Sequence, residues 1–389
     1  MTVDPLDGSR KTQGKGSDPI CCILLDRRFF VEIGERADGA STAGGLDVRI
    51  ALVGVGSLGT IAGALLSKVG VDIVLIDANE EHVNALNSNG ARIEGHMEAT
   101  IPVKAIRPHE MDGTYDLFIY LVKSTFDDVA LPALLPFMRD DSVLITLQNG
   151  VPEERVASFV GRERTLGGAV GWGGTWKGPG VSELTSNPAE MTYDVGELDG
   201  SVTDRVERVK EVLDNAGEAL ITNNLTGVRW TKLLVNAAMS GLSTALDCDY
   251  GGILDDETAI TAAICIMMET IKTSQALGIK MEPMQGADPA ILFEIVKQDL
   301  ENAKGAVRFI WDPHRNIVGS MLQDLKKGLP CEVEALNGYL EWKAGEAGVS
   351  TPVNDQVTDV IRKIQSGQLK PEMANLESIT LPDVSVYFS

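Results

Sequence analysis

Val48 to Val53 reads as a short buried strand, and it runs directly into Gly54, Val55, Gly56, Ser57, Leu58 and Gly59. A helical pattern follows, with Leu58, Ile61, Ala62, Leu65, Leu66 and Val69 recurring at three- and four-residue spacing. A G-x-G-x-x-G therefore stands where a strand hands over to a helix. Gly54 allows the tight turn, Gly56 lets backbone approach a pyrophosphate, and Gly59 lets helix and strand pack closely. The helix N-terminus adds free N–H groups and partial positive charge. A second strand, Asp72 to Ile76, ends in Asp77, the acidic residue that a dinucleotide's ribose requires about 20 positions past the loop. The stretch predicts a βαβ dinucleotide site.

At 389 residues the chain exceeds what one hydrophobic core usually covers, so two domains are expected. A net charge of −22 argues against nucleic acid and anionic membrane surfaces as partners. Cys21, Cys22, Cys248, Cys265 and Cys331 form no C-x-x-C pair and no disulfide framework, which points to a reducing cytoplasm. His82, His96, His109 and His314 lack metal-ligand spacing, so no metal is expected. No apolar run reaches membrane-spanning length.

Residues 1–46 are rich in Gly, Asp, Arg and Ser without helical period, and are read as a poorly ordered extension or the product of an upstream start site. Cys21 to Leu25 and Phe29 to Ile33 have strand character. From 47 to 223 strands alternate with helices, the pattern of a doubly wound, mostly parallel α/β sheet. Within it, a helix from Glu80 to Ser88 precedes a hairpin over Ala91 to Ile106. Asp116 to Val122 and Ser142 to Leu147 read as buried strands, followed by Lys123-Ser124 and Gln148-Asn149-Gly150. Lys123 and Asn149 thus fall at the strand ends where open α/β sheets bind ligands. The Gly-rich run from Gly167 to Gly180, with Trp172 and Trp176, is expected to cover one edge. Residues 224–367 read as an all-helical domain for substrate and dimerisation, with helices near 226–247, 256–277, 288–304, 315–327, 333–347 and 352–366. The tail, 368–389, shows no period. The apolar helices of residues 224–367 are compatible with a homodimer.

One helix carries unusual polarity. At 100° per residue, Arg229, Lys232, Asn236, Ser240 and Ser243 fall within a stripe of about 80°, and the rest of the circumference is apolar. Buried Lys and Asn need partners, which a ligand-filled cleft would provide; alternatively the stripe lies along water, with the Lys snorkelling out. Desolvation would make Lys232 a better proton donor near neutral pH, suited to protonating the alkoxide left by hydride delivery to a carbonyl. Glu332 is expected in the first turn of a helix, where an acid also complements the helix dipole.

Together these motifs resemble the ketopantoate reductase (2-dehydropantoate 2-reductase) family, in the 6-phosphogluconate-dehydrogenase-like group. The resemblance spans 48 to about 365. It rests on Gly54-x-Gly-x-x-Gly59, Leu121-Val-Lys123-Ser, Gln148-Asn149-Gly150, Trp230-x-Lys232-Leu-x-x-Asn236, and Ser320-Met-Leu-Gln-Asp-x12-Asn337-Gly338 with Glu332 inside it. It implies a Rossmann domain, a helical C-terminal domain and a cleft in which NAD(P)H reduces a 2-oxo acid to a 2-hydroxy acid, ketopantoate to pantoate in the usual member, for pantothenate and coenzyme A synthesis. By position Lys232 matches the general acid, and Asn149 a residue near nicotinamide and substrate. Lys123 lines the cleft, Asn236 and Ser320 match substrate ligands, and Glu332 an acid that contacts the cofactor or orients the lysine. Three positions depart from the pattern. Ser240 stands where an Asn is common, and Tyr250 falls near another substrate-side Asn. Asp77 stands where NADPH users tend to carry a basic or neutral residue. A carboxylate there repels a 2′-phosphate, which favours NADH over the family's NADPH; Asn79 and the lack of an Arg nearby in sequence agree. Two other readings compete: the same chemistry on another 2-oxo acid, or on an imine as in opine-type dehydrogenases, and a non-catalytic dinucleotide sensor.

Overall fold

The computed structural model describes residues 48–284 and 288–388. The expectations for residues 1–46, including Cys21 and Cys22, lie outside the described residues.

Strand β1 (Ile50–Val53) is buried at every position, as parallel strands covered on both faces must be. Its side chains alternate: Ile50 and Leu52 enter one core layer, Ala51 and Val53 the other. It pairs in parallel with β2 (Ile73–Ile76) on one side and β6 (Tyr115–Tyr120) on the other. The first crossover is helix α1 (Ser57–Lys68) and the second begins with α2 (Glu80–Asn89). β5 (Ala105–Ile106) continues the sheet beyond β2, while β7 (Met138–Thr146) and β8 (Thr165–Val170) continue it beyond β6. β11 (Thr192–Gly196) then pairs antiparallel with β8, and β12 (Glu218–Ile221) closes the far edge. The strand order β12-β11-β8-β7-β6-β1-β2-β5 reverses direction of growth at β1. A crevice therefore opens between the C-terminal ends of β1 and β6, where such sheets bind ligands.

The expected hairpin over Ala91 to Ile106 is shorter. β3 (Ala91–Gly95) and β4 (Ala99–Ile101) pair antiparallel, and Ala105-Ile106 leaves them to join the main sheet. The Gly-rich run is likewise divided. β8 belongs to the large sheet, whereas β9 (Gly174–Gly178) and β10 (Val181–Leu184) form a second sheet in the order β4-β3-β10-β9.

After β12 the described residues are helical. Helix α6 (Leu225–Val235) gives way to a π-helical turn over Asn236–Ser240 and then to α7 (Gly241–Leu246). The single expected helix at 226–247 is thus interrupted inside its polar stripe. The segment expected at 288–304 is two helices, α10 (Pro289–Gln298) and α11 (Leu300–Trp311), parted at Asp299, whose carboxylate caps the second. Helix α9 (Glu257–Ala276) runs through the centre of this region, with Ala262 to Ile271 all buried. Among the described residues, no helix is long and apolar enough to cross a membrane.

The tail is more ordered than its sequence suggests. It forms two 3-10 turns, Met373–Ser378 and Val384–Phe388, and buries Leu376, Ile379 and Tyr387 in the helical core. Its anchor is Glu269 on α9, which is fully buried. One carboxylate oxygen accepts from Val353 N at 3.0 Å and the Tyr387 hydroxyl at 2.9 Å; the other accepts from Asn354 N at 2.8 Å. Burial still pushes this carboxyl up to about 7, because three hydrogen bonds do not fully replace water. Replacing Tyr387 with Phe should cost about 1.5–3 kcal/mol, the worth of a hydrogen bond to a charged group. Urea unfolding measures it, and an unchanged midpoint would show that the tail is held by its apolar contacts alone.

Candidate active site

Gly54 has φ +90°, and a Cβ there would lie 2.5 Å from the Val122 backbone nitrogen. A Cβ on Gly59 would run into the Gly54 carbonyl. Both glycines are thus needed by packing, and Gly56 differs: it is exposed, with nothing within 4 Å of the Cβ position. The carbonyls of Val55 and Gly56 are held from beneath by the Thr60 hydroxyl at 3.2 and 2.8 Å. Helix α1 begins after Gly56 with no side-chain cap, whereas Asn79, Thr203, Asn224 and Asp256 cap the helices that follow them. Ser57 and Leu58 therefore open a helix whose first N–H groups lack a side-chain acceptor, as an incoming phosphate requires. Asp77 is half-buried, its oxygens accepting from Val55 N and Asn79 N, each at 2.8 Å. The residues present fit a dinucleotide.

Sheet pairing corrects one expectation here. Asp77 N bonds to the Ile106 carbonyl at 3.1 Å, which brings the backbone of Arg107 next to Asp77 despite its distance in sequence. Its guanidinium is already shared between Glu80 at 3.2 Å and Glu110 at 3.4 Å.

Beyond β6, Lys123 meets two carboxylates from the helical region, Asp324 at 2.9 Å and Glu332 at 3.1 Å. Glu332 is 3% exposed, and its other oxygen accepts from the backbone and hydroxyl of Ser124, each at 3.0 Å. Burial would raise the Glu332 pKa, but Lys123 and these hydrogen bonds outweigh it and hold the group below its ordinary value. Burial likewise opposes the Lys123 charge, and the two carboxylates overcome it, so this lysine stays protonated. Glu332 does not stand in a helical first turn: it precedes a 3-10 turn over Val333–Ala335, and helix α13 (Asn337–Ala347) starts later. That turn is what lets its side chain reach across to Ser124.

Asn149 follows β7 and is half-buried, and its side chain makes no hydrogen bond to any described residue. Gly150 has φ +78°, and a Cβ there would lie 2.5 Å from the Ala335 carbonyl, so glycine lets this turn press against the one after Glu332. The turn is fixed by Arg229, which is fully buried. Its guanidinium donates to the Gln148 carbonyl at 2.6 Å, the Thr146 carbonyl at 3.1 Å and Glu153 at 2.6 Å.

One turn along the helix, Lys232 is half-buried, and its ammonium donates to the Val170 carbonyl at the end of β8, at 2.8 Å. Its pKa is pushed down to about 7, first by burial and then by the Arg229 charge; Asp194 and Glu332 act in the opposite sense. Asn236 and Ser240 begin and end the π turn, and the Asn236 amide nitrogen and Ser240 hydroxyl are buried without a hydrogen-bond partner among the described residues. Ser240 packs against the Gly319 backbone, next to Ser320, the first residue of helix α12 (Ser320–Lys326). Ser243, the last member of the expected polar stripe, points elsewhere: its hydroxyl donates to the Cys248 carbonyl and accepts from Gly319 N. Tyr250 is buried against Trp311, ring centroids 6.2 Å apart.

The structure thus groups Lys123, Glu332 and Ser124 by direct contact, and puts Lys232 within electrostatic reach of Glu332. Sequence reading had assigned no role to Asp324, Glu153 or Arg107. Asp324 lies four residues beyond Ser320, one helical turn away, and its signals were that spacing and its place in the Ser320-Met-Leu-Gln-Asp324 motif.

A family model described as "Ketopantoate reductase PanE/ApbA" matches residues 50–200, and its C-terminal counterpart matches 224–365. A 2-dehydropantoate 2-reductase of Pyrococcus horikoshii is 30% identical over 317 residues, 79% of this chain and 94% of that protein. The structure of a 2-dehydropantoate 2-reductase from Geobacter metallireducens superposes with TM-score 0.70 at 25% identity, covering 81% of this chain and 99% of the other. A D-mandelate dehydrogenase bound to NADH and anilino(oxo)acetate shares the fold, with TM-score 0.70 at 23% identity and coverage of 82% and 99%. With both halves of the family pattern matched in order, this chain belongs to the ketopantoate reductase family of nicotinamide-dependent oxidoreductases.

Proposed function

We propose that the chain reduces a 2-oxo acid to its 2-hydroxy acid, with ketopantoate as substrate and pantoate as product. The observation that carries the reading is Lys232: an ammonium fixed on the Val170 carbonyl, with its pKa brought down to about 7. A bound nicotinamide supplies the hydride. Lys232 then delivers a proton to the substrate oxygen as charge develops there, and its lowered pKa makes that transfer favourable near neutral pH. Asn149, with an unengaged amide at the strand end, orients carbonyl and nicotinamide. Lys123, kept charged by Asp324 and Glu332, offers its remaining N–H to the substrate side. Glu332 acts through Lys123 and Ser124 and closes the helical region over the β6 end. The unpaired amide of Asn236, with Ser240 and Ser320, receives the substrate's hydroxyl and carboxylate.

Ser240 supports a second reading in which the substrate is a bulkier 2-oxo acid. Serine leaves more room than the asparagine common in the family, and its hydroxyl has no partner among the described residues. Turnover of ketopantoate against a panel of 2-oxo acids, including aryl ones, separates the two.

We propose NADH as the preferred cofactor. The Asp77 carboxylate would face a 2′-phosphate, and Arg107, the cation that could answer it, is engaged by Glu80 and Glu110. Exchanging Asp77 for Asn should move the NADPH/NADH ratio of kcat/KM toward NADPH by roughly tenfold, the effect of one removed charge repulsion. An unchanged ratio sinks the charge argument.

Replacing Lys232 with Ala should lower kcat by about 10²–10⁴-fold with cofactor affinity nearly unchanged. Surviving activity would remove it as the proton donor. In the wild type the proton-carrying form predominates below its pKa, so the reduction rate should fall as pH rises through about 7. The reverse oxidation, which needs the neutral amine, should rise over the same window. A pH–rate profile flat between 6 and 8.5 contradicts this.

A further inference from the structure

His82 belongs to no step above, yet it is fully buried behind the glycine loop. It stands in the first turn of α2, where its backbone N–H meets the Asn79 cap at 3.1 Å. Its ring touches three other elements. Gly180 N donates to Nδ1 at 2.8 Å. The Trp176 ring lies 4.5 Å away, centroid to centroid. Nε2 lies 3.4 Å from the Thr60 hydroxyl. A backbone N–H can only donate, so Nδ1 is an acceptor and the neutral ring carries its proton on Nε2. That proton faces the Thr60 hydroxyl and the Val55 carbonyl, leaving the threonine hydroxyl to donate to the Gly56 carbonyl at 2.8 Å. Burial favours the neutral ring by lowering its pKa. An unbroken chain of donors thus runs from the β9–β10 hairpin, through His82 and Thr60, to the loop residue with the open approach.

We propose that His82 is a positioning residue for the dinucleotide: with Thr60 it ties the Gly/Trp hairpin to the Val55–Gly56 carbonyls and holds the loop's amides toward the pyrophosphate. This rests on the reading of that loop as the cofactor site. The hairpin then has a role beyond covering the sheet, since Gly180 and Trp176 fix the imidazole that fixes the loop. The outward amides depend on where the two carbonyls point, because each peptide plane is rigid. Cofactor affinity should therefore suffer when the chain is cut, while the proton transfer at Lys232, on another element, should not.

The test is titration of the full chain with NADH and NADPH by calorimetry, together with steady-state kinetics. If the wild type binds neither nucleotide, the reading of the loop fails and His82 is not at issue. If it binds, His82→Ala should raise Kd and cofactor KM roughly tenfold, about what one buried hydrogen-bonded link is worth. The change in kcat at saturating cofactor should stay within about twofold. His82→Gln, whose amide reaches the Nε2 position and keeps the Thr60 contact, should lose less affinity than His82→Asn, whose amide reaches only the Nδ1 position. Thr60→Val should match His82→Asn, and combining the two should cost no more than the worse single change, the mark of a shared path. The Gln and Asn variants carry the test if the Ala variant does not fold. Unchanged Kd in folded variants, a loss confined to kcat, or full additivity with Thr60→Val would each overturn the proposal.

Discussion

The buried guanidinium of Arg229 is the contact on which the cleft depends. Burying an unpaired charge is prohibitive, and a paired one is tolerable only when every donor is used in good geometry. Here Glu153 neutralises it through Nε, and one carbonyl at the end of β7 and one in the turn after it each accept from a terminal nitrogen. Those carbonyls belong to Thr146 and Gln148, so satisfying the arginine also fixes the turn that carries Asn149. Gln148 passes the constraint on, donating to the Val122 carbonyl beside Lys123 and to Asp127 at 2.8 Å each. One ion pair thus sets the relation between the first turns of α6 and the ends of two neighbouring strands.

The two lysines of the candidate site show how environment gives one side-chain chemistry two protonation behaviours. Lys123 faces two carboxylates and stays charged. Lys232 faces a neutral carbonyl, with the Arg229 cation on its own helix, and its charge is destabilised. A permanently charged group can hold an anionic substrate, whereas one that loses its proton near neutrality can exchange it with a reacting oxygen. Glu332 serves both settings. It pairs directly with Lys123 and moderates the fall in the Lys232 pKa from a distance.

Much of this was legible along the chain because the signals are local. The glycine loop, the strand ends at Lys123 and Gln148-Asn149-Gly150, and the polar face of the Lys232 helix each occupy one short stretch. Where the reading failed, the deciding partner lay far away in sequence. Arg107 comes to lie near Asp77 because β5 pairs with β2. Ser243 leaves the polar stripe because a π turn changes the helical register at Asn236–Ser240. Glu332 meets Ser124, 208 residues distant, because the chain turns before α13 rather than starting it. The tail has no periodicity to read, since its order comes from Glu269 and the helical core.

The sequence by itself determined the sheet class, the glycine loop that follows β1 and the helix whose polar stripe carries Lys232. Each follows from periodicity, or from backbone conformations that only glycine adopts cheaply. Tertiary structure alone decided which lysine stays charged and which is destabilised, because pKa depends on neighbours and burial rather than on residue type. It alone brought Arg107, Asp324, Glu153 and His82 to the site. Their contacts are made between elements, and no local spacing in a chain encodes the distance between two elements before they pack.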